Sequence, residues 1–391
     1  MGFEWIERDI RDELSQVMKE YPVVTITGPR QSGKTSLARR YCSHFTYANL
    51  ELPDLRDLAF RDPRAFFKMY PTPLIIDEIQ RVPELLSYIQ VLADNTRDRG
   101  QYILTGSHQM ELAEAVSRSL VGRTALLRLL PLSLKELSAA NIDVTRDNIL
   151  WRGFMPRIYH DDIRPNTFYA EYFQNYVERD VRQLIGIRDL LLFEKFLRIL
   201  AGRVGHVINV SSLSGDVGVS RKTVSEWLSV LEASFVIFRL PPWFENLNKR
   251  AVKSPKLYFT EPGLVAWLLQ IEFSHQIPRD PLMGNLFENM VVVEALKTRL
   301  NAGRMSNLHF YRDSRGREVD LIIRERRKLR PVEIKAGMTY NSSMLKSLKQ
   351  FRNLVPDALP SALVYAGEIE TETEDIKLIN YRNTGLLFSH Q

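Results

Sequence analysis

The eight residues Gly28-Pro29-Arg30-Gln31-Ser32-Gly33-Lys34-Thr35 constrain this chain more than any others, because they fit G-x-x-x-x-G-K-[ST]. Such a segment works only between a strand and a helix. Its glycines let the backbone wrap phosphate groups with the N–H groups turned inward. The helix that follows presents its positive N-terminal end to the same phosphates. Here an apolar, β-branched run, Tyr21 to Thr27, precedes the loop, and Ser32 to Tyr41 reads as a helix after it. The expected ligands are ATP and Mg2+. Lys34 is expected to reach the β- and γ-phosphates and the Thr35 hydroxyl to meet the metal.

A second half of the site follows downstream. Asp77 ends the apolar run Leu74-Ile75-Ile76 and is expected to hold the Mg2+ shell. Glu78, next to it, is expected to orient or deprotonate the attacking water; the plainer alternative is an acidic pair at a strand end in solvent. Thr105-Gly106-Ser107 ends another apolar run. In a parallel sheet such a strand end lies beside the phosphates, so Ser107 is the candidate sensor, against a simple turn. Arg123 precedes the run Leu126 to Leu129. It reads either as an arginine finger on a neighbouring subunit's nucleotide, which needs a homo-oligomer, or as a surface salt bridge.

Apolar runs of strand length (Phe45–Leu50, Leu74–Asp77, Tyr102–Thr105, Leu126–Leu129) alternate with helical patterns such as Glu84–Thr96. That alternation predicts an α/β fold with a parallel sheet. The expected P-loop ATPase domain covers 1–140. Thr105-Gly106-Ser107, Gly122-Arg123 and Pro131-Leu132-Ser133-Leu134-Lys135-Glu136, taken together, resemble AAA-superfamily ATPases of bacteria and archaea that carry a C-terminal domain of unknown function. Gly153-Phe154-Met155-Pro156 and Tyr176-Val177-Glu178-Arg179-Asp180 resemble that family's middle region. Met155 departs from it, since a second small residue is more usual there.

Residues 141–205 read as a helical lid, rich in aromatics that a core would absorb. Residues 206–275 predict a winged-helix-like unit. In it a short helix and a glycine turn lead to Ser220, a good N-cap, and then to Arg221-Lys222-Thr223-Val224-Ser225. The run Phe235–Leu240 is the candidate wing. Arg221, Lys222, Thr223 and Ser225 would face DNA if this unit reads it, although such units also serve as packing modules.

Residues 276–391, after the proline-bearing stretch Gln276–Pro281, predict a third module. A helix is expected over Asn285–Leu300. Glu288 and Glu294 are six apart, about 600° around a helix, so only one is expected to reach a common metal, and Glu294 is taken as the outer ligand. Asp320 enters an apolar strand, and Val332-Glu333-Ile334-Lys335 lies in the next. Glu333 and Lys335 share one strand face. An acid followed by Glu-x-Lys resembles the PD-(D/E)xK restriction-endonuclease superfamily. That resemblance implies a metal on Asp320 and Glu333 with Lys335 beside the attacked phosphate. The bland alternative is a buried ion pair. The proline that often precedes such an Asp is missing. The basic run Arg324–Arg330 reads as a solvated hairpin before it reads as a phosphate track.

The formal net charge of +6 permits a nucleic-acid partner without requiring one. Cys42 is the sole cysteine, which excludes an intramolecular disulfide and a cysteine metal cluster. Met1 to Asp12 carries alternating charge, and no run approaches the roughly 18 apolar residues of a membrane span. A soluble cytoplasmic protein is expected. These features predict an ATP-driven switch or motor acting on or with DNA, with metal-dependent nuclease activity an open question. The alternative is a nucleotide-controlled protein-interaction switch whose nuclease-like domain is inactive.

Overall fold

The computed structural model describes residues 5–96, 98–107, 119–143, 145–176, 189–243 and 253–388. The first sheet has five strands: β1 (Val23–Thr27), β2 (Thr46–Asn49), β3 (Leu74–Asp77), β4 (Tyr102–Gly106) and β5 (Thr124–Arg128). Their order is β2-β3-β4-β1-β5 and every pairing is parallel. All residues of β1, β3 and β4 are buried, as expected where helices cover both faces of a sheet. The two faces take alternate residues. Val23, Ile76 and Leu104 join Leu85, Leu86 and Ile89 of the helix Leu85–Asp94. Val24, Ile26, Ile75 and Ile103 join Leu14 of the helix Arg11–Glu20 and Leu37 of the helix Lys34–Tyr41. The C-terminal ends of β1, β4 and β3 are therefore neighbours, and the loop, Ser107 and Asp77 meet at one edge.

The middle region is helical. Gly153 takes φ 70°, and a Cβ there would sit 1.8 Å from Glu261 Oε1 and 2.1 Å from the Tyr169 hydroxyl. Glu261 in turn accepts from Phe154 N at 2.8 Å. Close packing around a buried carboxylate thus accounts for the glycine in Gly153-Phe154-Met155-Pro156. Met155 itself is buried. Of Tyr176-Val177-Glu178-Arg179-Asp180, residues 177–180 lie outside the described residues.

Two helices, Val210–Val217 and Arg221–Ala233, meet at Gly218, whose φ of 89° closes the turn. Ser220 caps the second helix by accepting from Thr223 N at 3.1 Å. β6 (Ile237–Leu240) pairs antiparallel with β7 (Lys256–Phe259). The strand β7 had no expectation in the sequence.

The third module opens with the helix Met283–Asn301, followed by β8 (Leu308–Arg312), β9 (Glu318–Glu325), β10 (Lys328–Lys335), β11 (Ser361–Tyr365), β12 (Thr371–Glu372) and β13 (Ile376–Asn380). Their order is β12-β13-β11-β10-β9-β8. β8, β9 and β10 run as an antiparallel meander, and β10, β11 and β13 are parallel.

One apolar core takes in Ile6 and runs from Leu130 through the middle helices to Leu387. In the stretch Gln276–Pro281, expected as a boundary, Ile277 is wholly buried in that shared core. Among the described residues no helix is long and apolar enough to cross a membrane.

Candidate functional site

The loop leaves β1 with Gly28 at φ 154° and Gly33 at φ 94°. A Cβ at Gly28 would lie 2.0 Å from the Leu129 carbonyl oxygen, so only glycine lets the loop lie against the end of β5. Lys34 is 6% exposed. Its Nζ donates to Gly28 O at 3.0 Å and Pro29 O at 2.7 Å, closing the loop on itself. Burial pulls the ammonium down to about 8, against the pull of Glu78 and Asp77 in the other direction. Arg30 lies over the Tyr176 ring at 5.9 Å, which joins the loop to the middle region. Gln31 adopts φ 61°, and Pro29 O accepts from Ser32 N.

Asp77 is the hub. The Thr35 hydroxyl lies 3.0 Å from each of its carboxylate oxygens, and the Tyr47 hydroxyl donates to Oδ2 at 2.9 Å. The Thr105 hydroxyl donates to Oδ1. Glu78 adopts a left-handed conformation, φ 56°, rare for a residue with a side chain. Its carboxylate accepts from Ser107 Oγ at 3.3 Å and from the Gln80 amide. Glu78, Ser107 and Asp77, the candidate base, sensor and metal ligand, therefore stand at adjacent strand ends.

A cleft of about 560 Å3 opens over Lys34, Thr35 and Glu78, with Trp5, Pro156 and His160 on other walls. That volume lies in the range of small-molecule sites. The turned-in loop, the buried lysine and the Thr35–Asp77 pair fit Mg2+ and ATP: Thr35 and Asp77 would hold the metal, and Lys34 would exchange its carbonyl partners for phosphate oxygens.

Arg123 lies elsewhere. It precedes the first residue of β5, and its carbonyl accepts from Val23 N at the start of β1, the end of the parallel sheet opposite the loop. Its guanidinium makes a double contact with Asp94, Nε–Oδ1 at 2.6 Å and Nη2–Oδ2 at 2.9 Å. It takes no part in the site of its own chain.

The acids of the third module are brought together in part. Lys335 Nζ lies 2.5 Å from Glu333 Oε1 and 3.7 Å from Asp320 Oδ2. Glu333 also accepts from Ser347 Oγ at 2.6 Å, and Asp320 from Ile334 N at 2.8 Å. Burial, then the Asp320 charge, raise the Glu333 carboxyl above its usual range. Glu294 does not join them, which corrects the expectation for that residue. It is 4% exposed, faces the other side of its helix, accepts from Leu134 N at 2.8 Å and pairs with Lys297 at 2.7 Å. Six residues of helix turn it away from the side that carries Glu288.

Glu288 is the acid of that helix that feels the Asp320 charge, as Glu333 does from β10. It meets Lys256 of β7 at 2.8 Å and the Tyr258 hydroxyl at 2.5 Å. Lys256, 2% exposed, also lies 2.5 Å from Glu318. Burial opposes its charge, but Tyr258, Glu288, Asp320 and Glu318 outweigh that and hold it protonated. Two lysines thus occupy the centre. Among the described residues no group of three or more His, Cys, Asp or Glu is arranged to hold a metal. Glu294 therefore drops out of the set expected with Asp320 and Glu333.

Comparison with known proteins bears on the domain that carries the first site. Residues 20–138 match the family described as AAA domain. Residues 20–138 are an AAA-type P-loop ATPase domain. Downstream of this ATPase domain, residues 145–275 and 283–383 match two families, each described as a domain of unknown function (DUF8612 and DUF4143). An uncharacterized protein of Mycobacterium tuberculosis is 29% identical over 371 residues, covering 92% of this chain and 80% of that one. An uncharacterized protein of Haemophilus influenzae is 23% identical, covering 91% and 92%. Among solved structures, a Walker-type ATPase of Pyrococcus abyssi is 14% identical, with a TM-score of 0.47, covering 68% of this chain and 96% of that one. A RuvB Holliday junction branch migration motor of Thermotoga maritima is 22% identical, with a TM-score of 0.31, covering 60% and 89%.

Sequence reasoning missed Arg8, Tyr47, Gln80 and Lys256. Gln80 carries a local signal, two residues past Glu78. The others become visible only through contacts made by distant segments.

Proposed function

We propose that this protein is an ATP-hydrolysing switch or motor that acts on or with DNA. The observation that carries the ATP reading is the convergence of Lys34, the Thr35–Asp77 pair and the Glu78–Ser107 pair on one cleft at adjacent strand ends. In the hydrolysis step Lys34 binds the β- and γ-phosphates. Thr35 and Asp77 would hold the metal, which would supply positive charge to the phosphate oxygens. Glu78 orients the attacking water and accepts its proton, while Ser107 and Gln80 keep the carboxylate aimed.

Support for a DNA partner comes from the middle region. It consists of the helix pair Val210–Val217 and Arg221–Ala233, with Arg221 and Lys222 exposed at the start of the second helix, as a DNA-reading helix requires. The sole cysteine is consistent with a cytosolic setting.

A second reading keeps the ATP chemistry and makes the third module an inactive, nuclease-like interaction domain. The observation favouring it is Lys256, whose ammonium sits between Glu288 and Glu318 beside Asp320. One experiment separates the two readings. ATP turnover is measured with and without duplex DNA, and DNA binding is titrated at two salt concentrations. Stimulated turnover with a steep salt slope supports the DNA reading. Unchanged turnover without DNA binding leaves the interaction switch.

A further inference from the structure

The phosphate-binding loop rests on an arginine outside all its motifs. Arg8 precedes the helix Arg11–Glu20 and is 4% exposed. Its Nη1 donates to Ser32 O at 2.7 Å and its Nη2 to Leu130 O at 2.6 Å. Ser32 belongs to the loop. Leu130 lies just beyond β5, the strand that pairs with β1 on the side away from β4. One guanidinium therefore ties the second half of the loop to the sheet end against which Gly28 is pressed.

The loop has need of that tie. Gln31 and Gly33 both adopt positive φ, so the loop holds a conformation that local preference does not enforce. In the free chain Lys34 braces it by bonding Gly28 O and Pro29 O. A phosphate group competing for Lys34 would draw it away from both carbonyls just when the loop N–H groups must stay aligned. Arg8 bonds carbonyl oxygens, which a phosphate has no use for, so its tie survives ligand binding.

Glu136 holds the arginine in turn. Arg8 Nε lies 3.1 Å from Glu136 Oε1. This contact is an ion pair; the hydrogen bonds to the carboxylate come from Asp9 N and Ser133 N, each at 2.8 Å. The planar fork of arginine spans two acceptors in a fixed geometry, which a lysine does not.

We propose that Arg8 is a positioning residue of the nucleotide site: through the Ser32 and Leu130 carbonyls it keeps the phosphate-binding loop in its binding shape, with Glu136 as its buried counter-ion. The proposal rests on the ATP reading above.

The test uses the full chain, with Arg8→Lys and the double variant Arg8→Met/Glu136→Gln, which leaves no unpaired buried charge. The dissociation constant of a fluorescent ATP analogue is measured beside thermal unfolding, with Lys34→Ala as the reference. Two charge-assisted bonds are lost in the double variant, so its affinity should fall about tenfold or more. Arg8→Lys should fall in between, because lysine serves one carbonyl at a time. A folded double variant that binds as tightly as the wild type overturns the proposal, whatever its melting temperature. If the double variant does not fold, wild-type affinity in Arg8→Lys overturns it. A wild-type chain that binds no better than Lys34→Ala sinks the ATP reading itself, a distinct result.

Discussion

The Ser107 hydroxyl donates to the Glu78 carboxylate at 3.3 Å, joining the ends of β4 and β3 across the candidate catalytic edge. This contact gives the two residues separable roles. Glu78→Gln should bind nucleotide normally and slow phosphate release by about 10²–10⁴-fold, the range for loss of a general base. Ser107→Ala should bind normally and slow turnover by less, because Gln80 still holds Glu78. Lys34→Ala should lose turnover altogether. Phosphate release near the wild-type rate in Lys34→Ala would falsify the site.

Lys34 also sets a pH dependence. Burial pulls its ammonium to about 8 in the free protein. Nucleotide phosphates favour the charged form, so binding should raise it and take up protons. Affinity should be full below pH 8 and weaken as pH rises through that value. Calorimetry in buffers of different ionisation enthalpy reads the proton uptake directly. No uptake between pH 8 and 9 speaks against a charged Lys34–phosphate contact.

The Arg123–Asp94 contact holds the guanidinium at the surface, far from its own loop. If Arg123 completes a neighbour's site, specific ATPase activity should rise with protein concentration. Arg123→Ala should then cut activity by about 10³-fold without changing nucleotide affinity. Specific activity that stays flat from nanomolar to micromolar protein, with Arg123→Ala as active as the wild type, leaves the residue a surface ion pair.

Lys256 is the more deeply buried of the two cations in the acidic centre. Removing it as Lys256→Met leaves Glu288 only the Tyr258 hydroxyl and Glu318 only Arg312, a loss approaching the roughly 3–5 kcal/mol of a broken buried pair. The urea midpoint should fall, and Lys256→Met/Glu288→Gln should recover part of it. If the centre is sealed, the wild type should neither bind Mn2+ by calorimetry nor nick linear, supercoiled or single-stranded DNA. Metal-dependent cleavage that Asp320→Asn abolishes while ATPase activity persists would instead establish a working nuclease.

Cys42 offers an internal reporter. It is buried, and burial raises its thiol to about 11. A thiol reagent at pH 8 should leave it untouched in the native chain and label it as urea unfolds the ATPase domain. Rapid labelling without denaturant would show that the packing around Leu37 and Phe45 opens readily.

Much of this was legible in the residues themselves. The strand Leu74–Asp77 and the helix after the loop follow from apolar runs and local spacing. Glu333 and Lys335 meet at 2.5 Å because alternate residues share one strand face. The strand Lys256–Phe259 escaped notice, since four residues ending a charged stretch carry no periodicity. The helix Lys346–Leu354 escaped as well, its apolar face reduced to Leu348 and Phe351.

The sequence by itself determined the phosphate-binding loop and the acid pair Asp77–Glu78, because each depends on contiguous residues whose backbone and strand geometry are local. Tertiary structure alone decided which partners complete them. Arg8 reaches Leu130 across 122 positions, Lys256 reaches Glu288 across 32, and Glu294 is taken by Leu134 across 160. A helix period says that Glu288 and Glu294 face different ways; only the packed neighbours say which way holds the acids. Buried charges must find a counter-charge or a hydrogen-bond donor, and which one they find is set by chain segments that meet only once the domains have folded together.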